Sequence, residues 1–275
     1  MTTSSDGTTT PEGPVFAAER QARIAELVSV RGRARIGELA ELFGVTETTI
    51  RKDLTTLHEQ GLVKRTHGGA LALRPVVERE FERRVGSFPD EKRAIAAACL
   101  RLIETGDSIF LDTGTSVDAI AQALATAADR GSRMRLAVVT TSLTVAQHLA
   151  SVNGIECLLL GGYVRQAEDS VVGALTLENL QRFTFGTAFM GVSGFSEAGI
   201  SVGSLSEAAI KAAVIERARR VVVPIDHSKV GTTDHALICE LDALDVVVTD
   251  DTTPGLRELC ENVQIELVAA QQRPV

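Results

Sequence analysis

The stretch VTETTIRKDL, Val45 to Leu54, decides how the first quarter of this chain folds. At 100° per residue, Ile50, Leu54 and the following Leu57 fall on one side of a helix, with Thr48, Arg51, Lys52 and Thr55 on the other. Thr46 is placed to cap that helix, its hydroxyl accepting from a backbone N–H one turn on. Upstream, Ile36, Leu39, Ala40 and Phe43 form another stripe, closed by Gly44 where helices often end on glycine. Ile24, Leu27 and Val28 mark an earlier helix over residues 18–30, broken at Arg31-Gly32. Two helices joined by about three residues have the spacing of a helix-turn-helix, here about residues 34–53. Residues 61–73 then read as strand, glycine turn, strand, a hairpin that makes a wing and carries Lys64, Arg65 and His67. The cations can neutralise phosphates or read guanine edges. Thr46, Thr48, Thr49 and Thr55 can contact phosphate or a thymine methyl. Taken alone, the charged stripe also fits a solvated surface and His67 a plain turn residue. The hairpin behind the helix favours duplex DNA.

The charge balance agrees. The chain has 275 residues, 28 Lys+Arg against 36 Asp+Glu and a net charge of -8. Residues 20–74 hold ten Lys/Arg and six Asp/Glu, a net +4, which leaves -12 for the remainder. A basic head on an acidic body suits a polyanion-binding module on a carrier. With 44% apolar residues the chain can bury a core. No run approaches the roughly 18 apolar residues that span a bilayer, and residues 1–16 read as a disordered tail without the features of a secretory signal. Cys99, Cys157, Cys239 and Cys260 are far apart, in apolar settings, and are expected to be buried thiols of a cytoplasmic protein with no metal site.

The run from Ile36 to Ala70, IGELAELFGVTETTIRKDL continuing to GLVKRTHGGA, resembles the amino-terminal signature of the DeoR family of bacterial transcriptional regulators. The match covers roughly residues 17–72. Thr46 and Lys52 stand where the family more often has Ser and Arg, which keeps the cap and the charge. The resemblance implies a winged helix-turn-helix that reads double-stranded operator DNA.

Beyond a charged linker over residues 73–89, a helix–strand rhythm begins. A helix is expected from Asp90 to the stop at Gly106. The apolar strands SIFLD, RLAVVTTS, IECLLLGG, TAFMGVSG, RRVVVPID and DVVVTD then alternate with helices. That pattern argues an α/β domain with a parallel sheet covered on both faces, and ligands in such sheets bind beyond the carboxyl ends of the strands. The loops there share a chemistry. Asp112-Thr113-Gly114-Thr115-Ser116 opens a helix and can cradle a phosphate through N–H groups, hydroxyls and the helix dipole. Thr140-Thr141-Ser142 repeats the arrangement, and Gly161-Gly162 follows the next strand. Asp226-His227-Ser228-Lys229 offers Lys229 as a point charge. Glu207 and Lys211, one helical turn apart after a glycine-rich loop at Gly199 and Gly203, read either as a surface ion pair or as site residues. Together these loops favour a small anionic, hydroxylated ligand, with phosphate on the Thr, Ser and Lys groups and hydroxyls on Asp112, Glu207 and Asp226.

This half resembles the DeoR-type sensor domain over about residues 90–251. The matching stretches are LDTGTS, VVTTSL, LLGG with Ser170 and Gly173 after it, AFMGVSGF, SEAAIK and DHSKVG. The resemblance implies a Rossmann-like fold shared with sugar-phosphate isomerases and a phosphorylated sugar as effector. Two departures stand out: Thr141 where the family usually has Asn, and Thr187 where it usually has an acid. Residues 252–275 are expected to complete this domain. The expected function is transcriptional regulation, as a repressor of carbohydrate genes, without cofactor, membrane or metal, acting as a homodimer or homotetramer. The alternative is a sugar-phosphate isomerase or deaminase-like enzyme with an appended DNA-binding domain.

Overall fold

The stripe of Ile50, Leu54 and Leu57 is where the N-terminal unit closes. The structure, a computed structural model, describes residues 17–31, 33–59, 62–66, 68–72, 86–130 and 134–270. The chain divides between residues 80 and 81 into two compact units. The expected tail, most of the linker, and His67 lie outside the described residues. In the first unit α1 (Ala17–Arg31), α2 (Ile36–Phe43) and α3 (Glu47–Glu59) pack Ile24, Val28, Ile36, Leu39, Ile50, Leu54 and Leu57 into one core with Val63 and Ala70. Gly44 ends α2 in the left-handed conformation (φ +62°). The Thr46 hydroxyl accepts from the Thr49 amide at 3.3 Å at the head of α3.

Two features of this unit were not read from the sequence. Arg33–Arg35 is a strand, β1, and it pairs with the second strand of the wing. The wing hairpin is β2 (Val63–Thr66) and β3 (Gly69–Ala72), in a three-stranded antiparallel sheet ordered β1-β3-β2. Asp53 does not join Arg51 and Lys52 at the surface. It is buried and accepts from Arg20 Nε at 2.7 Å, Arg20 Nη2 at 3.3 Å and Gln21 Nε2 at 2.9 Å. That hydrogen bond raises the Arg20 pKa above its ordinary value and ties α1 to α3.

The second unit is an α/β domain around a seven-stranded parallel sheet ordered β15-β14-β12-β9-β4-β5-β6. Its strands are β4 (Ser108–Leu111), β5 (Leu136–Thr140), β6 (Ile155–Leu159), β9 (Thr187–Phe189), β12 (Val221–Ile225), β14 (Val246–Thr249) and β15 (Glu266–Ala269). Near-continuous apolar runs such as VVVPI suit strands buried on both faces. One face is covered by α4 (Pro89–Leu100), α5 (Thr115–Asp129) and α6 (Leu143–Leu149), through Ile95, Val117, Ile120 and Val145. The other is covered by α7 (Ala174–Leu180), α8 (Leu205–Ile215) and α9 (Pro254–Asn262), through Leu180, Ile210, Val214 and Leu256. A ribbon of β7 (Tyr163–Arg165) and β8 (Ser170–Val172) and a small antiparallel sheet of β10 (Gly194–Ser196), β11 (Gly199–Val202) and β13 (Ala236–Cys239) complete the unit.

Strand order fixes where a ligand can sit. From β4 the chain winds outward to β5 and β6. It then returns to the other side of β4 with β9, β12, β14 and β15, so the topological switch lies between β4 and β9. β9 is short and pairs with β12 only as far as Phe189↔Val222. Pro224 follows two residues on, where the missing N–H costs no ladder bond to β9.

Several expectations are corrected here. The helix expected to run from Asp90 to Gly106 ends at Leu100. The glycine-rich loop at Gly199 is strand β11. Thr187, where the family usually has an acid, begins β9 beside Ile109 in the sheet interior. Of the four unpaired thiols, only Cys99 and Cys260 are buried, while Cys157 and Cys239 are half-buried. Burial pushes Cys99 up to about 12. At Cys239 burial, with Asp242 adding to it, gives about 11. Among the described residues no helix is long and apolar enough to cross a membrane, and no group of three His, Cys, Asp or Glu could hold a metal ion.

Asp53→Ala should destabilise the N-terminal unit by about 1–3 kcal/mol, because it removes the buried carboxylate that accepts from both Arg20 and Gln21. Amide hydrogen exchange in α1 and α3 measures this, and protection equal to wild type would remove the structural role given to Asp53.

Candidate DNA-reading face and effector site

Helix α3 presents the charged side that the sequence promised. Thr46, Thr48, Arg51 and Lys52 are exposed, and Thr49 and Thr55 half-buried. The hydroxyls of the half-buried pair are engaged at home. Thr55 Oγ1 donates to the Arg51 carbonyl at 2.8 Å, and Thr49 Oγ1 lies 3.0 Å from Thr46 Oγ1. Arg51 Nη2 is 2.9 Å from Glu47 Oε2, one turn upstream, with both side chains about half exposed. Such a pair is worth a few tenths of a kcal/mol and yields to a phosphate or a guanine edge. Lys64 and Arg65 are exposed on β2.

In the α/β unit the expected residues separate into a set that lines two recesses and a set bonded into the framework. Lys211, expected either at the surface or with Glu207, is buried and bonds elsewhere. Its Nζ donates to Asp112 Oδ2, to Thr113 Oγ1 at 3.2 Å and to the Gly191 carbonyl at 2.9 Å, which uses all three of its donors. The Gly191 amide donates to the same Asp112 oxygen at 3.0 Å. Gly191 follows β9 and Asp112 follows β4, so this knot spans the switch point. A Cβ at Gly191 would lie 1.8 Å from the Thr113 carbonyl oxygen, which only glycine avoids.

Glu207 is buried as well. Its Oε1 accepts from Ser170 Oγ at 3.3 Å and lies 3.5 Å from Arg165 Nε. That nitrogen is buried and makes no hydrogen bond among the described residues. Asp112, Thr113, Thr141, Ser170, Glu207 and Lys211 together line one recess. Beside it, across the β4–α5 loop, Gly114, Thr115, Ser116, Gly191, Pro224 and Lys229 line a second recess of about 30 Å³, room for a water or two. Gly114 precedes α5 at φ +122°, turning the chain so that the helix's first amides open onto this space.

The remaining expected residues build the frame. Thr140 Oγ1 donates to the Leu111 carbonyl at 2.6 Å and accepts from the Ser142 amide at 2.9 Å. Ser142 Oγ accepts from the Val145 amide at 3.2 Å and caps α6. Asp226 is buried and caps the turn His227–Lys229 by accepting from the Ser228 amide at 3.1 Å and from the Ser228 hydroxyl. The Gly161 carbonyl accepts from Thr176 Oγ1 at 3.0 Å. Gly162 packs against the Thr176 hydroxyl and the Val172 carbonyl, and Gly173 packs against the Tyr163 ring. Asp226, expected to face hydroxyls of a ligand, spends its Oδ1 on the turn that carries Lys229.

Sequence reasoning missed Gly191, Arg165 and a clamp on the Lys229 turn. The clamp is Asp250, whose carboxylate accepts from the His227 amide at 2.8 Å and lies 2.7 Å from His227 Nδ1. The His227 ring also meets Phe88 edge to face, with centroids 4.6 Å apart. A carboxylate at the end of VVVTD could have hinted at Asp250. Nothing in the spacing marks Arg165.

Two family descriptions match the chain: a DeoR-like helix-turn-helix domain over residues 20–76 and a DeoR C-terminal sensor domain over residues 87–251. The HTH-type transcriptional repressor GlcR of Bacillus subtilis is 30% identical over 94% of this chain and 98% of its own. The glycerol-3-phosphate regulon repressor of Escherichia coli is 32% identical over 86% of this chain and 92% of its own. A putative aga operon transcriptional repressor of Escherichia coli O157:H7 is 30% identical over 86% and 88%. Among solved structures, ribose 5-phosphate isomerase A of Methanocaldococcus jannaschii aligns over 50% of this chain and 53% of its own, at 18% identity and TM-score 0.38. The eIF2B beta subunit of Chaetomium thermophilum aligns over 93% and 88%, at 12% identity and TM-score 0.44. Likenesses at that level carry no functional argument.

The hydrogen bond to Asp250, more than the attraction of the nearby carboxylates, raises the His227 pKa above 6.5. The stabilisation this gives is fully present below about pH 6.5 and is lost as pH rises through the raised folded value. An NMR titration of the His227 ring should show a midpoint above 6.5 that falls in Asp250→Asn. A wild-type midpoint at or below 6.5 would contradict the clamp.

Proposed function

The chain belongs to the DeoR family of transcriptional regulators, and from that premise we propose that it is a repressor of carbohydrate genes whose grip on operator DNA is set by a phosphorylated sugar in the α/β unit. The observation that carries this reading is the meeting, at one sheet end and across the switch point, of a helix N-terminus with Thr115, Ser116 and Lys229 and a carboxylate–hydroxyl set with Thr141, Ser170 and Glu207. The first suits a phosphoryl group. The second suits sugar hydroxyls, with Arg165 Nε as an unused donor beside it. The relatives' names, a glycerol-3-phosphate regulon and an aga operon among them, lie in the same chemical territory.

Recesses this small require the loops to part before a sugar phosphate enters. A ligand that binds only the parted form shifts the population by its differential affinity for the two forms, typically about 1–3 kcal/mol. In our reading the chain works in the cytoplasm as a homodimer or homotetramer, which presents winged helices to repeated half-sites. We read it as a sensor and not an isomerase. Lys211 and Asp112 are spent on each other and on Gly191, which leaves neither poised for proton transfer.

A thermal-shift screen of the full chain against sugar phosphates tests the effector: one compound should raise the melting temperature by mass action, and sustained turnover would favour the enzyme instead. On a duplex selected in vitro by the wild-type chain, Lys229→Ala should bind DNA normally yet ignore that compound. A fully responsive variant would place the anion elsewhere. Arg51→Ala should lose about 1–3 kcal/mol of affinity for the same duplex, and unchanged binding would take base reading away from α3.

A further inference from the structure

The strand that the sequence did not reveal changes the outline of the DNA-reading head. In the β1-β3-β2 sheet, Arg33 pairs with Leu71, which pairs with Lys64. Arg35 pairs with Gly69, which pairs with Thr66. Side chains alternate across a sheet, so Arg33, Arg35 and Lys64 share one face with Thr66 and Leu71. Ala34, Ala70 and Val63 form the other face and are buried in the core. All three cations are exposed, and among the described residues none is in an ion pair. Among the described residues the sheet adds no carboxylate to that face, and Glu38, in the first turn of α2, accepts from the Arg35 backbone amide at 3.3 Å. Arg65, expected beside Lys64, projects from the opposite side of the wing.

This face is continuous with the wing turn. The Ile36 amide, next to Arg35, donates to the Gly68 carbonyl at 3.0 Å. A Cβ at Gly69 would sit 2.0 Å from the Ala34 carbonyl oxygen, so β1 lies tight against the hairpin and Arg35 stands where the turn begins. A solvated face normally mixes signs. Three exposed cations side by side on a chain of net charge -8 make a local basic patch that a polyanion complements. We infer that Arg33 and Arg35 on β1, with Lys64, form a second phosphate-contacting surface for duplex DNA, separate from the base-reading side of α3. It widens the footprint by phosphate contacts that carry no sequence information. The inference rests on DNA binding by this head.

The test measures affinity of the full-length protein for a random-sequence 30-base-pair duplex between 50 and 200 mM salt. Arg33→Ala/Arg35→Ala should make the log–log salt slope shallower by about two units and weaken binding at least about tenfold at 0.1 M salt. Arg33→Lys/Arg35→Lys should keep the wild-type slope, since counterion release counts charge. Discrimination between a selected duplex and the random one should be unchanged, whereas Arg51→Ala should reduce it. An alanine variant with the wild-type slope and affinity overturns the inference, as does a lysine variant as weak as the alanine one. Weakening confined to the selected duplex assigns the arginines to base reading and also overturns it. If the wild-type chain has no salt-dependent affinity for any duplex, DNA binding itself fails and this surface with it. Stronger salt-dependent binding to single-stranded RNA than to the duplex would assign the face to a different polyanion.

Discussion

The α/β unit depends on one ion pair, Lys211 with Asp112, in the crevice where the sheet reverses its winding. Both groups are almost wholly withdrawn from water. A buried pair of this kind adds little stability over an apolar pair of the same shape, but taking away one partner costs about 3–5 kcal/mol. Its worth is in specification. Lys211 on α8 can satisfy its three donors only if the Asp112–Thr113 loop and Gly191 are both in place, and Asp112 receives the Gly191 amide in return. The two strands that flank the switch are thereby held at a fixed spacing, with backbones too close for a side chain at position 191.

On that foundation the neighbouring residues divide the work. Thr140, Ser142 and Asp226 spend their oxygens on backbone and on a neighbouring hydroxyl, making each loop stiff. Thr115, Ser116 and Lys229 remain turned to the second recess. Pro224 lines the same space, past the point where β9 has left β12. Rigid supports under a small opening suit a sensor, because a ligand that enters must displace whole loops and not single side chains. Interfaces built this way tend to have two discrete arrangements and not a continuum.

How much of this could be read from residues alone followed the range of each signal. Helix stripes, the Thr46 cap and the Gly44 stop are local, and they gave the helix-turn-helix. Apolar runs gave six strands of the parallel sheet. The seventh strand, Glu266–Ala269, has a mixed pattern at a sheet edge and was invisible. β1 is three residues long with charges at both ends, so no periodicity could form. Asp53 was not singled out at all, because its partner, Arg20, is 33 residues away. Glu207 and Lys211 looked like a one-turn ion pair, yet each found a partner across the fold. Long-range polar pairing leaves no trace in spacing, which is why the loops were legible and the bonds among their residues were not.

The separation between Asp112 and Lys211, 99 residues of chain, also orders events in time. The winged helix closes its core from contacts that all lie between residues 24 and 70, and domains near the amino terminus fold first during synthesis. The parallel sheet must wait, since β4 finds β9 only after both β5 and β6 have been made. On the ribosome the winged helix is therefore complete while the crevice at the switch point is still missing one side.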